Sequence, residues 1–186
     1  LAEALVHSSN VAAVRLLRQT GLDPVVRLSG RLGITAPLQP DLTLALGASP
    51  VSVLELTAAY AAFANRGLFH KPVGITRVQD RDGRITPWPQ APAERVLSAR
   101  TAEWLHTVMA QVVQRGTGTN ARGVRGASGK TGTTDNNIDA WFVGSAPGLT
   151  TGVWIGHDRR ASLGAGETGG RAAAPVWQQF MQLAVR

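Results

Sequence analysis

Apolar residues three apart at Val11, Val14 and Leu17 within VAAVRLLRQ predict a helix that stops near Gly21. A short helix follows over DPVVRLSGRLG, with Pro24 near its start. The run SPVSVLELTAAYAAFANRG predicts the clearest helix of the chain. Ser49 can cap it, Pro50 suits its first turn, and Gly67 ends it. SARTAEWLHTVMAQVVQRG sets Leu105, Val108, Met109 and Val112 on one helical face, with Gly116 beyond the last turn. Between these two helices, GITRVQDRDGRIT alternates around Asp82-Gly83 and predicts a β-hairpin.

Past Gly116 the period changes. GTGTNARGVRGASG is a glycine-rich approach, KTGTT a short strand, and AWFVGSA and TTGVWIGH two further strands. Both faces of these strands are apolar, so helices are expected on both sides of the sheet. In AAAPVWQQFMQLAVR, Trp177, Phe180, Met181 and Ala184 fall at i, i+3, i+4 and i+7, a closing helix that packs on the sheet. Helices, then an antiparallel meander, then one helix make an α+β fold. One domain is expected over 1–186: a helical part to about 116 with a small hairpin near 73–87, then sheet and closing helix from about 127 to 186.

Composition narrows the chemistry. Apolar residues make up 44 % of the 186, enough for a folded core. The formal net charge of +7 would attract anions. However, the arginines are scattered, with Arg77, Arg81 and Arg84 the densest group, and no basic stripe carries interleaved aromatics, so nucleic acid is not expected as a partner. With no cysteine there is neither a disulfide nor a thiolate nucleophile or metal ligand. His7, His70, His106 and His157 form no metal-binding spacing, and no metal or cofactor is expected. The uncharged run AWFVGSAPGLTTGVWIGH is turn-rich and polar from Ser145 to Gly152, which fits two strands and a loop rather than a membrane span.

Of the 19 basic side chains only Lys71 and Lys130 are lysines, and Lys130 stands in GASGKTGTTDNN. Lysine is a compact point charge with a tunable pKa, where arginine is a planar fork of fixed charge. A phosphate-binding loop would need glycine where Val124 stands and a helix after Thr131, and finds neither. A G-x-S-x-G nucleophile elbow fails because GASGK lacks the last glycine. What remains is a pair of separated pieces: Ser8-Ser9-Asn10 at a helix start, and Lys130-Thr131-Gly132-Thr133-Thr134 on a strand. Ser-x-x-Lys, Ser-Asp-Asn and Lys-Thr-Gly together mark the penicillin-recognising serine enzymes, and Ser8-Ser9-Asn10 fits a looser Ser-x-Asn. Taken alone, serine and asparagine at a helix start are ordinary caps.

The strings ALVHSSNVAAVRLL, LALGASPVSVLELTAAYAAFANRG, VVQRGTGTNAR, GKTGTTDNNIDAWFVGSAPGLTTGVWIGHD and GAGETGGRAAAPVWQQFM, in that order, resemble the transpeptidase domain of class A penicillin-binding proteins, the bifunctional peptidoglycan synthases. The likeness runs nearly end to end and implies an antiparallel sheet flanked by helices, incomplete at the N-terminus. It implies acyl transfer from a D-Ala-D-Ala stem peptide through a serine to a neighbouring amine, with β-lactams as inhibitors. By the same resemblance Lys130 supplies positive potential, Ser8 relays a proton to the leaving group, and Asn10 holds the acyl side. Thr131 and Thr133 would bind the terminal carboxylate, the Thr133 amide the oxyanion, and Gly132 and Thr134 complete the binding strand. Gly129 and Gly132 would leave room for a substrate lying along it. The family's location is the extracytoplasmic face of the bacterial inner membrane, by an anchor not in this chain.

The family's nucleophile belongs to a Ser-x-x-Lys upstream of Ser-x-Asn, but only seven residues precede Ser8. Ala127 and Leu68 stand three before the two lysines. The chain reads as the C-terminal part of a larger synthase that needs its N-terminal part as partner. Three readings stay open: part of a D,D-transpeptidase; a carboxypeptidase, β-lactamase or β-lactam sensor relative; and a non-catalytic binding module. GETGGRAAAP and RGTG point toward the synthases.

Overall fold

A computed structural model describes residues 1–185. Helices α1 (Ala2–Val6), α2 (Asn10–Thr20) and α3 (Leu22–Arg31) lead into a 3₁₀ turn, Leu42–Leu46, and then α4 (Val53–Ala64). Strand β1 (Leu68–Phe69) pairs with β4 (Glu94–Arg95), and β2 (Arg77–Gln79) with β3 (Ile85–Pro87). Helix α5 (Ala99–Arg115) precedes the main sheet of β5 (Ser128–Thr133), β6 (Ala140–Ala146) and β7 (Leu149–Ile155), and α6 (Ala174–Ala184) closes the chain. The sheet is antiparallel in the order β5-β6-β7. The α+β class matches the sequence reading.

The expected hairpin forms with a wider turn than Asp82-Gly83 alone: Asp80 and Arg84 bond each other across it, and Gly83 takes φ +81°. Helix α4 starts three residues later than its expected cap. Ser52, not Ser49, is the N-cap, and it exchanges bonds with Glu55 in a capping box. Ser49 is instead buried and accepts a bond from the Gln39 amide. At the other end Asn65 caps, Arg66 takes a left-handed φ of +51°, and the Gly67 amide reaches back to the Ala62 carbonyl.

The main core lies between α6 and one face of the sheet. Trp177 and Phe142 are fully buried with ring centroids 5.0 Å apart, and Met181, Ala174 and Val113 join them. The stripe of α6 is therefore Ala174, Trp177 and Met181; Phe180, assigned to it from spacing, is 49 % exposed. Helix α4 covers the opposite sheet face, where a side chain on Gly152 would collide with Thr57. Both faces are thus covered, as the apolar strands predict. Gly129 is small for a reason internal to the sheet: a Cβ there would stand 2.7 Å from the Phe142 ring.

A smaller cluster joins the ends of the chain's two halves. Val6 of α1 is fully buried against Val108 and Val112 of α5, and Arg115 pairs with Glu3 above it. Truncating Trp177→Ala should cost about 3–5 kcal/mol, as for other buried aromatics. Chemical denaturation of the variant against the parent measures it, with the midpoint falling and the slope unchanged.

Candidate active site

The corner that carries Ser8 is built by two helix ends. Helix α1 finishes in a Schellman motif: the Ser9 amide bonds the Ala4 carbonyl at 2.8 Å and the Ser8 amide the Leu5 carbonyl at 3.2 Å. Ser8 occupies the left-handed position of that motif with φ +55°, a place where glycine is usual. Ser9 then caps α2 by accepting from the Ala12 amide. The capping role proposed from sequence thus falls to Ser9 and leaves the Ser8 hydroxyl free.

That hydroxyl accepts a bond from Lys130 Nζ at 2.8 Å, across 122 residues of chain. Lys130 Nζ also donates to the Thr131 carbonyl at 3.0 Å and lies 3.5 Å from Thr131 Oγ1. Among the described residues no carboxylate pairs with it. Burial without a counter-charge pushes its pKa down to about 8.

Strand β5 is the edge of its sheet. The Thr134 amide bonds the Asp139 carbonyl, which makes 134 and 139 a hydrogen-bonded pair. Counting back along the register, Lys130 and Gly132 bond to β6, while the amides and carbonyls of Thr131 and Thr133 point off the free edge. The Thr131 carbonyl receives Lys130 there, and the Thr133 N–H has no partner among the described residues. A lysine whose own backbone faces the sheet therefore curls its ammonium round to the edge.

Side chains follow the opposite parity. Lys130 and Gly132 lie on the α4 side, Thr131 and Thr133 on the side of Phe142. Thr131 and Thr133 do share a face, but Lys130 does not share it with them. The Thr133 hydroxyl accepts from the Gly169 amide at 3.0 Å, which leaves its own proton to donate. The Thr134 hydroxyl is likewise engaged: it accepts from the Asp139 amide at 2.8 Å and donates to Asp139 Oδ2 at 3.1 Å. Asn10 is exposed at the first position of α2, and no side-chain hydrogen bond ties it to Lys130 or Ser8.

The strand from Lys130 to Thr134 lines one side of a cleft of about 890 Å³. Trp141, Trp154, Tyr60 and Leu46 form much of the remaining wall. Trp154 is steadied by a 2.9 Å bond from its Nε1 to Asp139 Oδ1. Sequence reasoning missed the 3₁₀ turn that supplies Leu44 and Leu46. It also missed Thr117, whose hydroxyl lies 2.6 Å from Thr131 Oγ1. Glycines on both sides of Thr117 were the available signal.

An ammonium with no counter-ion among the described residues, a hydroxyl beside it and an unpaired amide three residues along can together receive an anionic group and bond to an extended backbone. Comparison with known proteins gives the same direction. The family described as "Penicillin binding protein transpeptidase domain" matches residues 1–182. Penicillin-binding protein 1A of Aquifex aeolicus is 40 % identical over 98 % of this chain and 25 % of its own length. That of Neisseria gonorrhoeae is 36 % identical over 100 % of the chain and 24 % of its own. The chain spans about a quarter of the length of these curated relatives. Among solved structures, Haemophilus influenzae penicillin-binding protein 1A superposes with a TM-score of 0.91 at 27 % identity, covering 100 % of this chain and 34 % of that one. The PonA1 protein of Mycobacterium tuberculosis, in complex with penicillin V, gives 0.82 at 26 %, covering 100 % and 56 %.

The depressed lysine makes stability depend on pH. Between about 8, its folded value, and 10.5, its ordinary one, the unfolded chain holds a proton that the folded chain has released. Stability should therefore rise with pH across that window, by at most about 3 kcal/mol in all. Guanidinium denaturation at pH 7.5, 8.5 and 9.5 should show the rise in the parent and a flatter profile in Lys130→Met. Staying below pH 10 avoids Tyr60, whose phenol is pushed up to about 12 by burial and acts in the opposite sense.

Proposed function

Because this chain belongs to the penicillin-binding protein transpeptidase family, we propose that it forms part of a D,D-transpeptidase that cross-links peptidoglycan stem peptides by serine acyl transfer. The observation that carries the reading is the 2.8 Å bond between Lys130 Nζ and Ser8 Oγ at the free edge of β5. No serine among the 186 residues stands three before a lysine, so the nucleophile is assigned to a Ser-x-x-Lys elsewhere in the full-length protein.

The stem peptide adds to the edge of β5 as an extended strand, using the outward amides and carbonyls of Thr131 and Thr133. Its terminal carboxylate meets the Lys130 ammonium and the Thr131 hydroxyl. The nucleophile's oxygen bonds to the carbonyl carbon of the penultimate D-Ala, and the oxyanion so formed accepts from the Thr133 amide. The C–N bond then breaks. The proton lost by the nucleophile reaches the departing D-Ala nitrogen through Ser8, whose oxygen accepts from Lys130 and whose own proton is free to donate. An amine of a second stem peptide resolves the acyl-enzyme. A β-lactam, carrying a carboxylate beside a strained amide, takes the same edge and leaves a stable acyl group.

Peptidoglycan lies outside the cytoplasm, so this part of the protein works on the extracytoplasmic side of the bacterial inner membrane. No helix among the described residues is long and apolar enough to cross a membrane, and the anchor is assigned to a segment outside them.

The full-length protein should be labelled covalently by a fluorescent penicillin, and residues 1–186 alone should form no adduct detectable by mass spectrometry. Lys130→Ala should slow acylation on the order of 10²–10³-fold, as loss of an electrostatic donor does in other acyl-transfer sites. Lys130→Arg should not restore it, because the fork is bulkier and its charge fixed. An arginine variant that acylates like the parent overturns the role given to the ammonium.

Ser8 offers a separate test. Ser8→Gly relieves left-handed strain worth up to about 1 kcal/mol but gives up the bond from Lys130, so the thermal midpoint should stay close to that of the parent. Acylation in the full-length protein should fall all the same, because the proton relay is gone.

A further inference from the structure

Thr117 lies between three parts of the site and belongs to none of the motifs that define it. Its amide bonds the Val6 carbonyl at 3.4 Å, two residues before Ser8. Its hydroxyl lies 2.6 Å from Thr131 Oγ1. Its carbonyl lies so close to Gly170 that any side chain there would collide with it. Gly116 on one side is equally constrained, since a Cβ would strike the Val6 carbonyl, and one on Gly118 would come within 3.1 Å of Phe142. Three residues on, Asn120 Nδ2 holds the Gly170 carbonyl at 2.8 Å. The backbone at Thr117 is therefore fixed from both sides while its hydroxyl faces the binding strand.

We propose that Thr117 is a positioning residue for the substrate carboxylate, acting by orienting the Thr131 hydroxyl. This rests on the transpeptidase reading above. A hydroxyl has one proton and two lone pairs. Either oxygen of the 2.6 Å pair can donate; with Thr117 as the donor and the Lys130 ammonium 3.5 Å from the same Thr131 oxygen, both lone pairs of Thr131 face donors. The single proton of Thr131 is then left to point off the edge, where an anionic ligand accepts it. Without Thr117 the Thr131 hydroxyl is free to spend its proton on a neighbouring carbonyl or water, and each binding event must turn it back. The effect falls on recognition of the carboxylate before acylation rather than on the acyl-transfer step, because Thr117 touches neither the acyl carbon nor the proton relay.

The test uses the full-length protein and penicillin, with the apparent dissociation constant and the limiting acylation rate measured separately. Thr117→Val should weaken binding roughly 3- to 10-fold, the loss of one hydrogen bond to a bound anion. The limiting rate should stay within about two-fold of the parent, and Thr117→Ser should recover most of the affinity. In a Thr131→Val background, Thr117→Val should have little further effect, since its action runs through that hydroxyl. Thr117→Ala serves as a second hydroxyl deletion should the valine variant not fold. Unchanged binding in a folded hydroxyl-free variant overturns the proposal, as do losses that simply add to those of Thr131→Val or a change confined to the limiting rate. A parent protein that penicillin does not label overturns the transpeptidase reading and this proposal with it, whereas a labelled parent with an indifferent Thr117 overturns the proposal alone.

Discussion

The packing of α1 onto the end of α5 is the contact on which this site depends. Val6 fills a fully buried place against Val108 and Val112, and its carbonyl receives the Thr117 amide. Two residues later the chain turns through Ser8. Helix α5 also packs along β5, so one rigid element fixes the serine corner and the lysine strand together. A loss of that contact would separate Ser8 from Lys130 although every residue of both motifs remained in place.

The site is a set of small conformational costs held in place by the surrounding structure. Ser8 adopts a left-handed φ that a side chain disfavours, and Lys130 carries a charge into a partly desolvated edge with no acid among the described residues to balance it. Either feature alone would relax: the serine toward an extended backbone, the lysine toward water. The Schellman bonds at the end of α1 hold the first, and the Ser8 hydroxyl with the Thr131 carbonyl holds the second. An ammonium held this way has reason to welcome an anionic ligand.

Glycine and threonine on β5 divide their work differently from what a binding strand alone would ask. Gly129 makes room for Phe142, Thr133 and Thr134 use their hydroxyls to secure the Gly169 turn and the Asp139 corner, and Thr131 faces the ligand edge. Securing the backbone in this way leaves the Thr133 amide and the Thr131 carbonyl aimed outward. What the strand offers a peptide is therefore largely its main chain, which depends on hydrogen-bonding parity more than on side-chain identity.

Sequence alone determined the order of the longer helices and of the main-sheet strands, the switch from helices to an antiparallel meander, and the pairing of Ser8 with Lys130, because periodicity and motif are local or carried by family likeness. It placed the α4 cap at Ser49, since Pro50 suits a first turn. Only the structure showed that Glu55 completes a capping box with Ser52. Spacing put Phe180 in the core; the direction in which α6 meets the sheet leaves it half in solvent. Which face of β5 each threonine occupies, and which backbone groups are free, follow from the register with β6, a long-range pairing that no local pattern encodes. Thr117 was visible only within RGTG, a string that carried family likeness but no role for its threonine. Its meeting with Thr131 required α5, the glycine turn at 169–170 and the strand edge to be assembled first, because that contact exists only where three separate segments converge.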